Sequence, residues 1–205
     1  HLTLDVVAVM DDLGEQSATL VGHDWGGIIA WSFAEAYPQK TENLVIFNRP
    51  HPRSRKREMA LNNEQKERSA YIARFTNSDG DLGGMDAERR AGSHQGTLWY
   101  ERYLSAYQRS DYEAMLNYYR AYYPKPPWMV DESPIVPLDV PVLEFHGLDD
   151  GAYVNESLND TWESMGRDFT LVTLPGVGHN SQNTGDIQFV TSMLRSWLEM
   201  QKSRQ

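Results

Sequence analysis

The sequence has 205 residues, lacks cysteine entirely and carries more acidic than basic side chains. The absence of cysteine excludes a disulfide framework, a cysteine-ligated metal site and a thiol nucleophile. The formal net charge of -10 argues against nucleic acid and anionic membranes as partners, since both require a basic surface. The longest apolar runs also fall far short of the ~20 residues that a membrane-spanning helix needs. We therefore expect neither a nucleic-acid nor a membrane partner.

The chain begins at His1 rather than at methionine, and its first residues already follow a helical pattern. No signal peptide is visible. We expect the true N-terminus to lie upstream of His1 and the protein to be cytoplasmic. The balance of 40% hydrophobic and 23% charged residues is that of an ordinary globular protein with one sizeable core.

Short apolar runs alternate with helical patterns in the first fifty residues. Residues 18–22 and 44–47 are typical of buried parallel strands, and residues 28–37 between them predict a helix. Further strands are predicted at 140–145 and 169–174. This alternation predicts an α/β protein with a parallel sheet flanked by helices.

The segment between the second and third predicted strands has a different character. Residues 53–130 lack strand patterns, are rich in charge, tyrosine and tryptophan, and are predicted to be helical. We predict a core formed by residues 1–50 and 138–205, interrupted by a helical cap domain at 51–137. Within the core, helices are predicted at about 158–165 and from about Asp186 to Met200.

The first chemical motif is Gly22-His-Asp24-Trp-Gly26, between a predicted strand and a predicted helix. Its spacing, G-x-nucleophile-x-G, is that of the nucleophile elbow of α/β-hydrolases, a tight turn that needs small residues. The nucleophile would here be a carboxylate, Asp24. The backbone N–H of Trp25, at the helix start, is suited to an oxyanion hole. The alternative is a plain glycine turn in which Asp24 caps the helix.

Two further motifs follow the later strands. His146-Gly-Leu-Asp-Asp150 comes after the third predicted strand, and the position three residues past the glycine selects Asp150 as the acid, with Asp149 as the alternative. His179 ends a glycine-rich loop after the fourth strand, where ligands bind in open α/β sheets. Each segment alone fits a solvated loop or a surface histidine. Together, their order favours a triad of Asp24, Asp150 and His179.

The sequence resembles the epoxide hydrolase branch of the α/β-hydrolases over nearly the whole chain. Residues 20–27 resemble that family's nucleophile segment, and residues 48–52, Asn-Arg-Pro-His-Pro, resemble its exit into the cap. Residues 69–75 and 115–120 resemble the cap segments that carry its two catalytic tyrosines. The matches fall on Tyr71 and Tyr119. The alternative is that both rings pack on amphipathic cap helices.

Two departures from the family pattern stand out. The family's sheet has eight strands, while four are predicted here, and the His-Gly-x-Pro loop that would supply a second oxyanion donor is absent. We therefore expect an N-terminally truncated sheet. Asn180 and Ser181 follow the histidine where the family often carries a bulky aromatic residue.

The resemblance implies hydrolysis of an epoxide to a vicinal diol through an ester on Asp24, with water as co-substrate and with neither a metal nor an organic cofactor. A haloalkane or haloacetate dehalogenase would use the same triad. The haloacetate type resembles the chain less, because Trp25 and Ile28 stand where it has arginines. A serine esterase is disfavoured because Asp24 replaces the serine. An inactive, truncated homologue is the remaining alternative.

Overall fold

The computed structural model describes residues 2–76, 86–183 and 186–204. Contacts divide the chain into two compact units. The first unit comprises His1–Arg68 and Met129–Gln205, and the second unit comprises Ser69–Trp128. The boundaries at 50 and 138 that the sequence suggested for core and cap stay a prediction of domain organisation.

The described part of the first unit contains four strands and five α-helices, which are α1 (Leu2–Leu13), β1 (Ala18–His23), α2 (Trp25–Ala36), β2 (Thr41–Phe47), α3 (Pro52–Leu61), α4 (Asn63–Arg68), β3 (Val142–Gly147), β4 (Phe169–Leu174) and α9 (Ile187–Lys202). The described part of the second unit contains α5 (Ile72–Thr76), α6 (Ala87–Ala91), α7 (Tyr100–Gln108) and α8 (Tyr112–Tyr122). The expectation that the inserted segment is helical agrees with these elements.

The four strands form one parallel sheet in the order β1-β2-β3-β4. Its register pairs His23 with Phe47, Phe47 with Phe145, and Gly147 with Leu174. The strands thus end at nearly the same level, and the chain segments that follow them gather at one edge. The parallel sheet flanked by helices that the sequence predicts is confirmed.

The core lies on both faces of this sheet. Alternate residues of a strand point to opposite faces, so neighbours in β2 enter different clusters. Leu44 and Ile46 pack with Trp31 of α2, whereas Val45 and Phe47 pack with Trp197 of α9. A strand buried on both faces needs an unbroken apolar run, which explains the pattern Leu-Val-Ile-Phe at 44–47.

Strand β3 carries two ionisable side chains that lie within this core. Glu144 and His146 are fully buried, and the described structure gives their side-chain polar atoms no hydrogen-bond partner. Burial raises the pKa of Glu144 to about 8 and, against the nearby charge of Asp150, lowers that of His146 to about 4. Both side chains are therefore neutral at neutral pH, the form that burial favours.

The helical stretch predicted at about 158–165 does not form one continuous α-helix. Two 3-10 helices, Asn155–Leu158 and Thr161–Ser164, occupy this stretch. Between them Asp160 adopts a left-handed conformation with φ 61°, which ends one set of helical hydrogen bonds before the next begins.

The last helix begins where the sequence predicts. Asp186 is its N-cap, and the carboxylate accepts a hydrogen bond from the backbone N–H of Phe189 at 2.9 Å. No helix in the described ranges is both long and apolar enough to span a bilayer.

Candidate active site

Asp24 lies on a strained turn between β1 and α2. Its backbone has φ 48° and ψ −113°, a conformation that residues other than glycine rarely adopt. The turn is tight, because a Cβ atom on Gly22 would lie 2.5 Å from the carbonyl oxygen of Gly26. A Cβ on Gly27 would lie 2.6 Å from the Cβ of Arg49. The glycines of the motif thus allow the chain to pass close to itself and expose Asp24 at the strand end.

The side chain of Asp24 faces other residues of the site instead of capping α2. It makes no capping hydrogen bond, although Asp24 occupies the N-cap position of that helix. Its Oδ1 atom accepts a hydrogen bond from the Tyr153 hydroxyl at 3.3 Å and lies 3.5 Å from Nε2 of His179. The capping alternative is therefore not the arrangement in the structure.

Asp150 and His179 are brought together by the loops after β3 and β4. Nδ1 of His179 lies 2.9 Å from Oδ2 and 3.1 Å from Oδ1 of Asp150. The Asp150 side chain is buried, and Oδ1 also accepts the backbone N–H of Ala152 at 2.7 Å. Asp149 is exposed and uses its backbone N–H to bind the carbonyl of Val177. Of the two candidate acids, Asp150 is the one in contact with the histidine.

Asn48, directly after β2, links these two loops. Its Nδ2 donates to Oδ2 of Asp150 at 2.8 Å, and its Oδ1 accepts the backbone N–H of Ser181 at 3.1 Å. It is fully buried and has a positive φ of 46°. Gly147 lets the same loops approach, since a Cβ there would overlap the carbonyl oxygens of Val177 and Gly178. The acid and the histidine are thus held by backbone packing as well as by their own contact.

The electrostatics couple His179 to both carboxylates. Burial alone would lower the pKa of His179, but hydrogen bonds to Asp150 and Asp24 and their negative charges raise it to about 9. Burial would raise the pKa of Asp24, yet His179 and the charge of Arg49 hold that pKa below its usual value. At neutral pH the free site therefore carries ionised carboxylates around a protonated histidine.

Arg49 and Tyr153 form the wall beside Asp24. Both are buried, Nη1 of Arg49 donates to the Tyr153 hydroxyl, and the guanidinium lies 5.1 Å from the centre of the Tyr153 ring. Trp31 fixes the start of this segment by donating from its indole N–H to the carbonyl of Arg49 at 3.0 Å. A buried cation and a hydroxyl therefore stand next to the carboxylate.

Trp25 is the first residue of α2. Its backbone N–H therefore belongs to the first turn, whose N–H groups have no acceptor within the helix. The backbone N–H of Trp25, next to Asp24, is therefore suited to bind a developing negative charge.

Tyr71 and Tyr119 belong to the second unit and are described within it. Tyr71 precedes α5 and Tyr119 lies in α8, and their ring centres are 6.5 Å apart at an interplanar angle of 75°. Phe75 packs edge-on against both rings, at 5.4 and 5.0 Å. The two tyrosines that the resemblance selects, 48 positions apart in the sequence, thus share one aromatic cluster.

Four residues of the site were not among the sequence-based candidates. They are His23, Asn48, Arg49 and Tyr153. Nε2 of His23 lies 2.8 Å from the backbone carbonyl of His179 and thus contacts the histidine from the side of β1. A signal existed for Asn48, because a polar residue directly after a buried parallel strand lies at the ligand-binding edge of the sheet.

The sequence matches the profile of the alpha/beta hydrolase fold over residues 3–186, and the chain belongs to this family. Among curated relatives, it is 28% identical over 196 residues to "Epoxide hydrolase 1" of Caenorhabditis elegans, covering 87% of this chain and 47% of that protein. It is 32% identical over 129 residues to "AB hydrolase superfamily protein YfhM" of Bacillus subtilis, covering 57% of this chain and 45% of that protein. The chain thus spans about half the length of these relatives.

Among solved structures, the chain resembles a variant of an epoxide hydrolase from Bacillus megaterium complexed with its product, (R)-3-[1]naphthyloxy-propane-1,2-diol. The TM-score is 0.83 at 26% identity, and the match covers 96% of this chain and 74% of that chain. The resemblance to epoxide hydrolases that the sequence indicated is confirmed by these relatives.

Proposed function

We propose that the protein hydrolyses an epoxide to a vicinal diol through a covalent ester on Asp24. The observation that carries this proposal is the carboxylate at the elbow, 3.5 Å from His179, which in turn binds Asp150 at 2.9 Å. A carboxylate kept ionised needs no base to attack a saturated carbon. The epoxide hydrolase relatives support the choice of an epoxide as that electrophile.

In the first step, an oxygen of Asp24 attacks an epoxide carbon while the ring C–O bond breaks. The released oxygen takes a proton from a tyrosine hydroxyl, a role that we assign to Tyr71 and Tyr119 on the resemblance of their segments. The product of this step is an alkyl ester of Asp24 with a neighbouring hydroxyl group.

In the second step, neutral His179 takes a proton from water, and the hydroxide adds to the ester carbonyl carbon of Asp24. Asp150 orients the imidazole and stabilises its cation. The backbone N–H of Trp25 donates to the oxyanion. When the tetrahedral intermediate collapses, the diol leaves with the proton that His179 returns to its oxygen. Asp24 is released as the carboxylic acid, and its proton replaces, through solvent, the one that the tyrosine gave up in the first step. Ionised Asp24 and the neutral tyrosine are then restored.

Mass spectrometry separates the two steps. With an excess of styrene oxide, we expect His179→Gln to acquire the mass of one substrate molecule, because its ester forms but is not hydrolysed. Asp24→Asn should acquire no added mass on this residue. Asp149→Asn, a change of the exposed neighbour of Asp150, is the matched control and should turn over like the wild type.

Halide release measured beside diol formation distinguishes this function from dehalogenation. A protein that releases halide from a haloalkane or haloacetate and forms no diol from epoxides would overturn the proposal. So would a His179→Gln variant that never gains the substrate mass.

A further inference from the structure

Tyr153 approaches the reacting carboxylate from the loop that follows the acid. Its hydroxyl lies 3.3 Å from Oδ1 of Asp24, and only 4% of the residue is exposed. Nε2 of His179 lies 3.5 Å from the same oxygen. Tyr153 and His179 therefore converge on one of the two oxygens of Asp24.

Arg49 and Asp24 both contact the Tyr153 hydroxyl, and their chemistry sets the direction of these two hydrogen bonds. Nη1 of Arg49 donates to the hydroxyl oxygen, and a guanidinium has donors only, so it accepts nothing in return. An ionised carboxylate has acceptors only. The hydroxyl proton of Tyr153 therefore points at Oδ1 of Asp24, and the chain Arg49 to Tyr153 to Asp24 runs in one direction.

The loop geometry also keeps Tyr153 in this position. Its backbone N–H donates to Oδ1 of Asp150 at 3.3 Å, so the residue is tied to the acid as well as to the nucleophile. Its ring packs beside Arg49 and lies 5.8 Å from the His179 ring, centre to centre. A buried and tethered hydroxyl needs little reorganisation when charge develops on its partner.

We propose that Tyr153 is a catalytic residue that holds Oδ1 of Asp24, leaves Oδ2 to attack the substrate, and then serves as an oxyanion donor in ester hydrolysis. This inference rests on the proposed function. An oxygen that accepts a hydrogen bond has a lone pair engaged and is the poorer nucleophile, so the new C–O bond forms at Oδ2. Oδ1 then becomes the carbonyl oxygen of the ester.

The same contact acts in the second step. As hydroxide adds to Cγ of Asp24, the electron pair of the carbonyl bond moves to Oδ1, which gains negative charge. Tyr153 donates to this oxygen, and a hydrogen bond to an anionic acceptor is about twice as strong as one to a neutral acceptor. On collapse, the Cγ–Oδ2 bond breaks and the diol leaves. Tyr153 keeps its proton throughout.

Single-turnover kinetics of the full-length Tyr153→Phe variant with styrene oxide test this role. Loss of one oxyanion donor costs about 10²–10³-fold in well-studied enzymes, and with the Trp25 N–H remaining we expect ester hydrolysis to slow at least ~10-fold. Alkylation should change less than about threefold, so the alkyl-enzyme accumulates and is visible by intact mass. The control is Tyr37→Phe, which removes a hydroxyl from a ring packed 5.0 Å from Phe33 at the end of α2. Ester hydrolysis at the wild-type rate, or an equal loss in both steps, would overturn the inference.

A titration that needs no substrate separates this inference from the proposed function. The carboxyl ¹³C signal of Asp24 should titrate at a higher pH in Tyr153→Phe than in the wild type, because a donor to the charged form is lost. If the wild-type protein opens no epoxide, the proposed function is wrong, and an unshifted Asp24 signal would show that Tyr153 does not hold the carboxylate either.

Discussion

The charge on Asp24 should control the protonation of His179. In the free site the pKa of His179 is raised to about 9, and Asp24 is one of the two carboxylates responsible. Alkylation converts Asp24 into a neutral ester, so the imidazole loses one stabilising charge when it must become a base. The variant Asp24→Asn removes the same charge with little change of shape and therefore imitates this state.

The size of the effect follows from the distance of 3.5 Å between Nε2 of His179 and Oδ1 of Asp24. Coulomb's law gives about 1 kcal/mol for this distance in water and roughly 5 kcal/mol at an effective dielectric constant of ~20. One pKa unit corresponds to 1.36 kcal/mol. Since the side chains are 26% and 29% exposed, we expect the lower half of that range, a fall of about one to two units.

Proton NMR titration of the His179 imidazole measures this fall directly. The signal is assigned by its loss in His179→Gln. Its titration is then compared between the wild type and Asp24→Asn. The control is Asp149→Asn, which removes a charge that is not in contact with His179. The midpoint should drop from about 9 to roughly 7–8 in Asp24→Asn only. The rate of ester hydrolysis should rise with pH through the lower midpoint. An unchanged midpoint in Asp24→Asn would refute the coupling.

Two further predictions concern stability. Burial raises the pKa of Glu144 to about 8, so its folded form is neutral and stability is lost as pH rises from about 4.5 towards about 8. In urea unfolding, Glu144→Gln should have a higher free energy of unfolding than the wild type, and this difference should be larger near pH ~7 than near pH ~4 by on the order of 3 kcal/mol. An equal difference at both pH values would contradict this. Gly147→Ala should lower the free energy of unfolding by about 2 kcal/mol or more, since its Cβ overlaps the backbone of Val177 and Gly178, and thermal melts identical to the wild type would contradict it.

Much of the sheet was predictable because its signals are local. Residues 44–47 are apolar without interruption, and β2 extends over Thr41–Phe47. The prediction for β3 began two residues early, at Val140. Pro141 has no N–H to donate to the ladder, which explains why the strand begins at Val142. The elbow is predictable from its glycine spacing, because that spacing reflects a backbone constraint within six residues.

The wall of the site was not predictable in the same way. Tyr153 contacts Asp24, which lies 129 positions away in the sequence. The residues around Tyr153 contain no pattern that predicts this contact. The sequence indicates Arg49 only as part of the exit from the core. Its buried position depends on Gly27, whose missing side chain leaves it room. Contacts of this kind arise from the sheet order, which brings distant strand ends together.

That sheet order has a consequence for how the protein can vary. The neighbours β2 and β3 are joined by a connection of about 90 residues that includes the whole second unit, and the entropy of closing such a loop grows only logarithmically with length. For a flexible loop, each doubling of the length costs only roughly 0.6 kcal/mol. A change in the length of an exposed loop within this segment is therefore thermodynamically cheap, while a single added methyl group at Gly147 is not. Changes of length should accordingly be tolerated in the exposed loops of the second unit and poorly tolerated at the strand ends, where Asn48 and Arg49 are buried.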